Sequence, residues 1–203
     1  MTIQAESLPY LSAEVLDSLR ISTSDVVDEI ERQIIGQRRG EVWCAPKAVV
    51  LPGDDRYIMA TLGVATEPRV VATKSLVVNP RNPERGLATL NSIVTLLDGE
   101  TGLPLAVVDG NWVTEKRTAG LSAVAARRLA RAGSTSVAFI GCGVQARGHL
   151  EALADLFSPC RRFGPSVEAK AAVTHFVVWL RCAVLPRCRA IPPKRRSSRL
   201  TSW

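Results

Sequence analysis

A glycine-rich turn between an apolar strand and a helix is the clearest chemical feature of the chain. The apolar residues 137–140 predict a buried strand, and Gly141-Cys142-Gly143-Val144-Gln145-Ala146 follows them directly. Gly141 permits a tight turn, Gly143 lets the backbone approach a ligand, and Ala146 is small enough for a helix to pack on the strand. The pattern predicts that a dinucleotide pyrophosphate binds at the helix N-terminus. The alternative is a tight strand–helix connection without a ligand.

The residues after this turn match a nucleotide domain less well. An acidic residue about 20 positions after such a turn binds the ribose. Glu168 stands near that distance, but Gly164-Pro165 leaves little strand before it. A complete domain of this kind takes roughly 130–150 residues, which is more than the chain has left. We therefore expect half of the cofactor site and weak binding of the cofactor.

Residues 160–203 differ in composition from the rest of the chain. They hold ten of the 26 Lys and Arg residues but one acidic residue, Glu168, whereas residues 1–159 are close to neutral. Such a break indicates a segment of different origin, a basic interaction tail or disorder. The run Lys194-Arg195-Arg196 could contact phosphate groups, but solvated chain is the preferred interpretation. A nucleic-acid partner is not expected.

The remaining composition predicts a cytoplasmic protein. Residues 1–14 lack the charged and apolar regions of a signal peptide. The apolar residues 173–185 are interrupted by Arg181 and are too short to span a bilayer. The cysteines lack the paired spacing of a zinc site. We expect neither a membrane span nor a bound metal.

The periodicity predicts a β-rich lobe that precedes a parallel α/β unit. Apolar residues at helical spacing, with caps and terminal charges, predict helices over residues 12–19 and 25–39. Alternation then predicts strands over residues 47–51, 56–60, 70–78, 92–97 and 105–108, joined in part by hairpin turns at residues 52–55 and 98–102. A helix over residues 113–132 leads into the glycine-rich turn. Because neighbouring strands are joined by short turns, we expect the first sheet to be antiparallel.

Two basic residues of this lobe are candidates for binding an anion. Lys74 lies inside an apolar strand, where a charge is costly unless it is paired. Burial would lower its pKa and suit it to proton transfer or anion binding. An edge-strand lysine that points to water is an equal alternative. Arg117 falls in the first turns of its helix and could bind a carboxylate bidentately, although a solvated helix arginine is the simpler interpretation.

Seven short motifs occur together, in one order along the chain. They are APK at 45–47, TK at 73–74, NPRNPERGLAT at 79–89, LDGETGLPLA at 97–106, DG at 109–110, TEKRTA at 114–119 and GCGVQA at 141–146. Over approximately residues 8–158 this combination closely resembles the ornithine cyclodeaminase/mu-crystallin family. The resemblance implies an α+β substrate and dimerisation lobe over residues 1–118. It also implies the start of an α/β Rossmann-type NAD(P)-binding domain over residues 119–159, truncated or frame-shifted, with a basic, unmatched tail at 160–203.

The resemblance also implies roles for individual residues. Lys47, Lys74 and Arg117 would bind the substrate carboxylate, and Lys74 would be catalytic. Thr89, Arg117 and Thr118 would contact the cofactor together with the turn residues Gly141, Cys142, Gly143, Val144 and Gln145. Ala88 replaces a proline that is usual in the family. No segment of this chain matches the region of the family's catalytic aspartate, so we expect little activity.

The activity implied by the resemblance is NAD- or NADP-dependent chemistry at the Cα of an amino acid. In ornithine cyclodeamination, hydride transfer gives an imine, the side-chain amine adds to it, and ammonia leaves. Ketimine reduction and alanine dehydrogenation are alternatives within the family. The implied partners are a small amino or imino acid and a second copy of the chain. A non-catalytic dimer with a tail that binds a polyanion is the alternative from another class.

Overall fold

The computed structural model describes residues 7–131, 134, 136–141 and 143–157, and the backbone of residues 162–166. The chain divides into two compact units, Met1–Val124 and Ala125–Trp203. Among the helices of these described residues, none is long and apolar enough to cross a membrane.

The first unit consists of one sheet and the helices around it. Short apolar stretches bounded by Pro, Gly and Asp form the strands, and stretches with capped ends form the helices. The elements are β1 (Tyr10–Leu11), α1 (Ala13–Ser18), α2 (Thr23–Arg39), β2 (Val42–Cys44), β3 (Ala48–Val50), β4 (Tyr57–Thr66), β5 (Arg69–Val78), a 3-10 helix (Asn82–Arg85), β6 (Leu90–Asp98), β7 (Pro104–Asp109) and α3 (Gly110–Leu129), which runs into the second unit.

The seven strands form a mixed sheet in the order β1-β7-β6-β5-β4-β2, with β3 also paired to β4. The pairs among β2 to β7 are antiparallel, as expected from the hairpin turns. β1, which was not predicted, pairs with β7 in parallel. β5 lies between β4 and β6, and Lys74 is opposite Thr61 on one side and Val94 on the other. It therefore occupies an interior strand.

The two faces of this sheet have different surroundings. On one face, Val94, Ala106 and Val108 are buried in a cluster with Leu16 of α1, and Trp112 and Val113 of α3 pack against it. Side chains alternate across a strand, so Leu62, Val77 and Ile93 lie on the other face, where they are 44%, 37% and 47% exposed. We call these the covered face and the open face.

Helix α2 has the caps that its sequence predicts. The Ser22 hydroxyl accepts a hydrogen bond from the Asp25 N–H, and the Asp25 carboxylate accepts one from the Ser22 N–H. The hydrogen bond from the Ser22 side chain lowers the pKa of Asp25. Gly40 ends the helix with a φ of +72°, in the left-handed region that glycine favours.

Helix α3 begins earlier than predicted. Its first residue is Gly110 instead of Val113, because the Asp109 carboxylate accepts a hydrogen bond of 2.8 Å from the Trp112 N–H. A Cβ at Gly110 would lie 2.5 Å from the backbone carbon of Ser92. Glycine thus lets the start of α3 lie directly against β6.

The second unit contains a parallel strand–helix–strand crossover. Its elements are β8 (Ser136–Ile140), α4 (Val144–Leu156) and β9 (Arg162–Ser166), and β8 and β9 pair in parallel. The expectation that Gly164-Pro165 would leave little strand is wrong, because β9 includes both residues. Proline is tolerated at a sheet edge, and among the residues that the structure describes β9 pairs with β8 alone. Cys142 lies outside the described residues, as do Glu168 and every other residue of the tail except 162–166.

Candidate functional site

Lys74 lies on the covered face of the interior strand β5. Its ammonium donates a hydrogen bond of 3.3 Å to the Thr114 hydroxyl of α3, and the contact is partly buried. Since β5 has a neighbour on each side, the alternative of an edge lysine does not describe this structure. The side chain is half-buried below a helix.

Lys47 and Arg117 add their positive charges to the surroundings of Lys74. Half-burial lowers the pKa of Lys74 below its ordinary value of 10.5, and the charges of Arg117 and then Lys47 lower it further. No carboxylate acts on this pKa from the residues described. The ion pairs within the described part of the chain also involve none of the three. We call Lys47, Lys74 and Arg117 the cation cluster.

Three different elements supply the cation cluster. Lys74 comes from the middle of β5, Lys47 from the segment between β2 and β3, and Arg117 from α3. Because α3 starts at Gly110, Arg117 lies about two turns into the helix, not in its first turns. The long antiparallel ladder fixes Lys74, whereas Lys47 and Arg117 are exposed.

Thr114 is a site residue that sequence reasoning missed, although it stands in a recognised motif. Thr114, Arg117 and Thr118 are spaced i, i+3 and i+4, which places their side chains on one face of α3. This spacing is a usable signal, because Arg117 already marked that face as a candidate site. Thr118 is half-buried on it.

The loop that carries Thr89 is held by hydrogen bonds to backbone atoms. The Thr89 carbonyl accepts a hydrogen bond of 2.8 Å from the Asn79 N–H. The side-chain amides of Asn82 and Asn91 both donate to the Ala88 carbonyl, at 2.8 and 2.9 Å. The proline that Ala88 replaces is therefore not needed to order this loop. Thr89 is exposed at the start of β6, and its cofactor role stays a prediction.

The cation cluster is suited to binding a carboxylate. Three like charges close together oppose one another, and partial burial weakens the screening by water. A bound anion would replace this repulsion between cations with attraction. The guanidinium of Arg117 could form two parallel hydrogen bonds to a carboxylate, and the lysines would act as point charges. In the described residues no group of three or more His, Cys, Asp or Glu could hold a metal ion.

The glycine-rich turn of the second unit fits a pyrophosphate group. Gly141 has a φ of +95°, which favours glycine. Gly143 precedes α4 without a side-chain cap, so the N–H groups of the first turn stay available to a ligand. A Cβ at Gly143 would meet no described atom within 4 Å. Val144 and Gln145 begin the helix. The turn thus combines free N–H groups with open space.

A cavity of about 450 Å³ lies elsewhere in the first unit. Its lining includes Ile58, Ser75, Val77, Ile93 and Asp109, which belong to the open face. Because Lys74 lies on the opposite face, this cavity is not the carboxylate site. We treat it as part of the open face.

The structure therefore combines an α+β lobe that bears a cation cluster with a βαβ unit of the kind that binds dinucleotides. The model of the ornithine cyclodeaminase/mu-crystallin family matches residues 10–181. The chain belongs to this family, as the motifs predicted. The match extends beyond residue 158, where the resemblance was expected to end.

Individual relatives are similar to large parts of the chain. It is 35% identical over 165 residues to an alanine dehydrogenase of Archaeoglobus fulgidus, covering 80% of this chain and 49% of that protein. It is 41% identical over 90 residues to a Delta(1)-pyrroline-2-carboxylate reductase of Bacillus cereus, covering 44% of this chain and 28% of that protein. An archaeal alanine dehydrogenase dimer with bound NAD superposes with a TM-score of 0.80 at 28% identity, covering 91% of this chain and 56% of that one. The chain thus spans about half the length of the alanine dehydrogenases.

Proposed function

We propose that the chain takes part in NAD- or NADP-dependent oxidation or reduction at the Cα of a small amino or imino acid. The observation that carries the proposal is the cation cluster, which has no carboxylate of the described residues to balance it. A substrate carboxylate is the complementary group. The glycine-rich turn supports the cofactor assignment, because its open backbone fits a pyrophosphate.

The cation cluster would bind and orient the substrate. Arg117 would hold the two carboxylate oxygens, and Lys47 and Lys74 would contribute positive charge. Holding the carboxylate fixes the adjacent Cα, which is catalysis by positioning. Lys74, with its lowered pKa, could also exchange a proton with the substrate nitrogen.

Two sets of residues are proposed as cofactor contacts. Gly141, Cys142, Gly143, Val144 and Gln145 would bind the pyrophosphate, and the family resemblance assigns further contacts to Thr89, Arg117 and Thr118. When bound, the nicotinamide supplies the chemistry of accepting a hydride from Cα or donating one to it.

Oxidoreductase activity is better supported than cyclodeamination. Relatives above 30% identity include an alanine dehydrogenase and a reductase of a cyclic imino acid. The solved lysine cyclodeaminase is 24% identical, and this likeness supports the fold alone. Ornithine cyclodeamination, with loss of ammonia, remains the second candidate.

The open face supports a further part of the proposal, a homodimer formed through the first unit. Its exposed residues Leu62, Val77 and Ile93 come from three adjacent strands, and their cross-strand neighbours on β4 and β5 are the uncharged Thr73, Ile58 and Ser75. Burying such apolar residues stabilises association by roughly 25 cal/mol per Å² before its costs. The cross-strand neighbour of Ile93 on β7 is Asp109, so a carboxylate borders this apolar patch. The alanine dehydrogenase of similar fold was solved as a dimer.

A comparison of two ligands tests the proposed substrate class. The 203-residue chain is titrated with pyruvate, a small 2-oxo acid that carries the carboxylate of the proposed substrates. It is also titrated with methyl pyruvate, whose ester removes the charge. Binding is followed by ligand-observed NMR. We expect pyruvate to bind and methyl pyruvate to bind at least about tenfold more weakly. Equal binding of both compounds, or none of pyruvate, would contradict the proposal.

A further inference from the structure

Thr114 is the side chain to which Lys74 donates a hydrogen bond, at 3.3 Å. The cross-strand neighbours of Lys74 are Thr61 on β4 and Val94 on β6, and neither is charged. The charged groups that face it are Arg117 from α3 and Lys47 from the segment before β3, and both repel a protonated lysine. Within the described residues, Thr114 alone is recorded as an acceptor for this ammonium.

We propose that Thr114 is a positioning residue, which aims the Lys74 ammonium and keeps it protonated by accepting its hydrogen bond. The inference rests on the proposed function of Lys74 in carboxylate binding. Thr114 itself would not touch the substrate. It acts on the long, flexible side chain of Lys74, which would otherwise sample several rotamers below α3.

The physical argument concerns the balance of charge at Lys74. Desolvation and two neighbouring cations favour the neutral amine. The charge-assisted hydrogen bond from the ammonium to the hydroxyl oxygen is stronger than the bond that the hydroxyl could donate to a neutral amine, so Thr114 favours the ammonium. Because α3 begins at Gly110 against β6, the position of Thr114 is determined by the packing of the helix start. Removing the Thr114 hydroxyl should therefore lower the pKa of Lys74 and increase the number of rotamers that the Lys74 side chain populates.

The test measures the titration of Lys74 directly and needs no turnover. The full chain is labelled with trace acetic anhydride at a series of pH values, and acetylation at each lysine is quantified by peptide mass spectrometry. We expect Thr114→Val, which keeps the shape and removes the acceptor, to lower the apparent pKa of Lys74 by about half a unit to one unit. Thr114→Ser keeps a hydroxyl and should restore the wild-type curve. Lys116 serves as the reference lysine in each digest.

Two results would overturn the inference. One is a Lys74 curve that is the same in the wild type, Thr114→Val and Thr114→Ser. The other is a rise toward 10.5 in Thr114→Val, since a merely structural threonine would expose Lys74 when it is lost. If Thr114→Val does not fold, Thr114→Ala removes the same hydroxyl with less bulk and should shift the pKa downward.

Failure of the proposed function would look different. Pyruvate should protect Lys74 of the wild type from acetylation. Absence of protection would contradict carboxylate binding, while the effect of Thr114 on the ligand-free pKa would stand. Protection in the wild type with no effect of Thr114→Val would contradict only the positioning role.

Discussion

At Lys74, the fold holds a charge where the environment opposes it. The side chain is half-buried on an interior strand, and two other cations lower its pKa. Stability alone would favour an apolar residue at such a position. We propose that this placement serves anion binding, because water screens the half-buried charge of Lys74 incompletely.

Carboxylate binding should depend on pH through Lys74. The protonated form attracts the ligand, and its pKa is lowered from 10.5. Lys74 therefore loses its charge at a lower pH than an ordinary lysine does, and the affinity for the carboxylate falls with that charge. We expect the affinity for pyruvate in the wild type to decrease with rising pH, and to do so at a pH below 10.5. The measurement is a series of titrations at constant ionic strength.

Lys74→Arg removes that dependence, because a guanidinium stays protonated over the whole range. Its affinity for pyruvate should be nearly constant with pH, whereas Lys116→Arg, a change outside the cation cluster, should keep the wild-type decrease. A decrease of the same size in Lys74→Arg would assign the titration to another group.

The sequence identified Lys74 and Arg117 but left their surroundings open. A lysine inside an apolar strand is compatible with an edge or an interior position, since strand order depends on pairing between distant segments. The strand order places β5 inside the sheet, and Lys74 is half-buried as a result. Thr114 was missed for a related reason, because its partner is 40 residues away in the chain.

At the scale of elements, the start of α3 determines where Thr114 and Arg117 lie. Gly110 allows this start, because a Cβ there would lie 2.5 Å from the Ser92 carbon and 2.7 Å from the Ile93 nitrogen, both backbone atoms. Gly110→Ala should lower the free energy of unfolding by about 1–3 kcal/mol. Gly63→Ala is the matched control, since its nearest contact is an ordinary 3.7 Å. Urea unfolding followed by circular dichroism compares the two, and equal stabilities would refute this account of α3.

Most elements could be predicted from local pattern. The capped helices and the hairpin strands have signals within a few residues, and they lie close to their expected positions, except that β4 continues to Thr66, six residues beyond its predicted end. β1 and β2 have two and three residues, which is too short for alternation to be recognised. β9 was missed because Gly164-Pro165 argues against a strand, yet an edge position tolerates both residues.

At the scale of the whole molecule, the open face should govern assembly. Leu62→Glu and Ile93→Glu place charges in the proposed dimer contact, where burying them would be costly. We expect both variants to be monomeric under conditions in which the wild type is a dimer, as measured by light scattering after size exclusion. Leu103→Glu changes a more exposed leucine in the β6–β7 turn and should leave the dimer intact. A wild-type monomer, or dimers of all variants, would contradict an interface on the open face.

The two units carry different parts of the proposed activity. The first supplies the cation cluster and the second supplies the turn that fits a pyrophosphate. The motifs predicted the family, and they contain the residues of the cation cluster and of the glycine-rich turn. The specific amino or imino acid is not determined by these motifs, because carboxylate and pyrophosphate binding are common to dehydrogenases, reductases and cyclodeaminases of this family.

Calorimetric titration of pyruvate into three proteins tests the central claim most directly. These are the wild type, Lys74→Met and Lys116→Met, which remove one positive charge inside and one outside the cation cluster. The account predicts that Lys74→Met weakens binding at least about tenfold and that Lys116→Met changes it less than about twofold. Binding by Lys74→Met as tight as that of the wild type would contradict it.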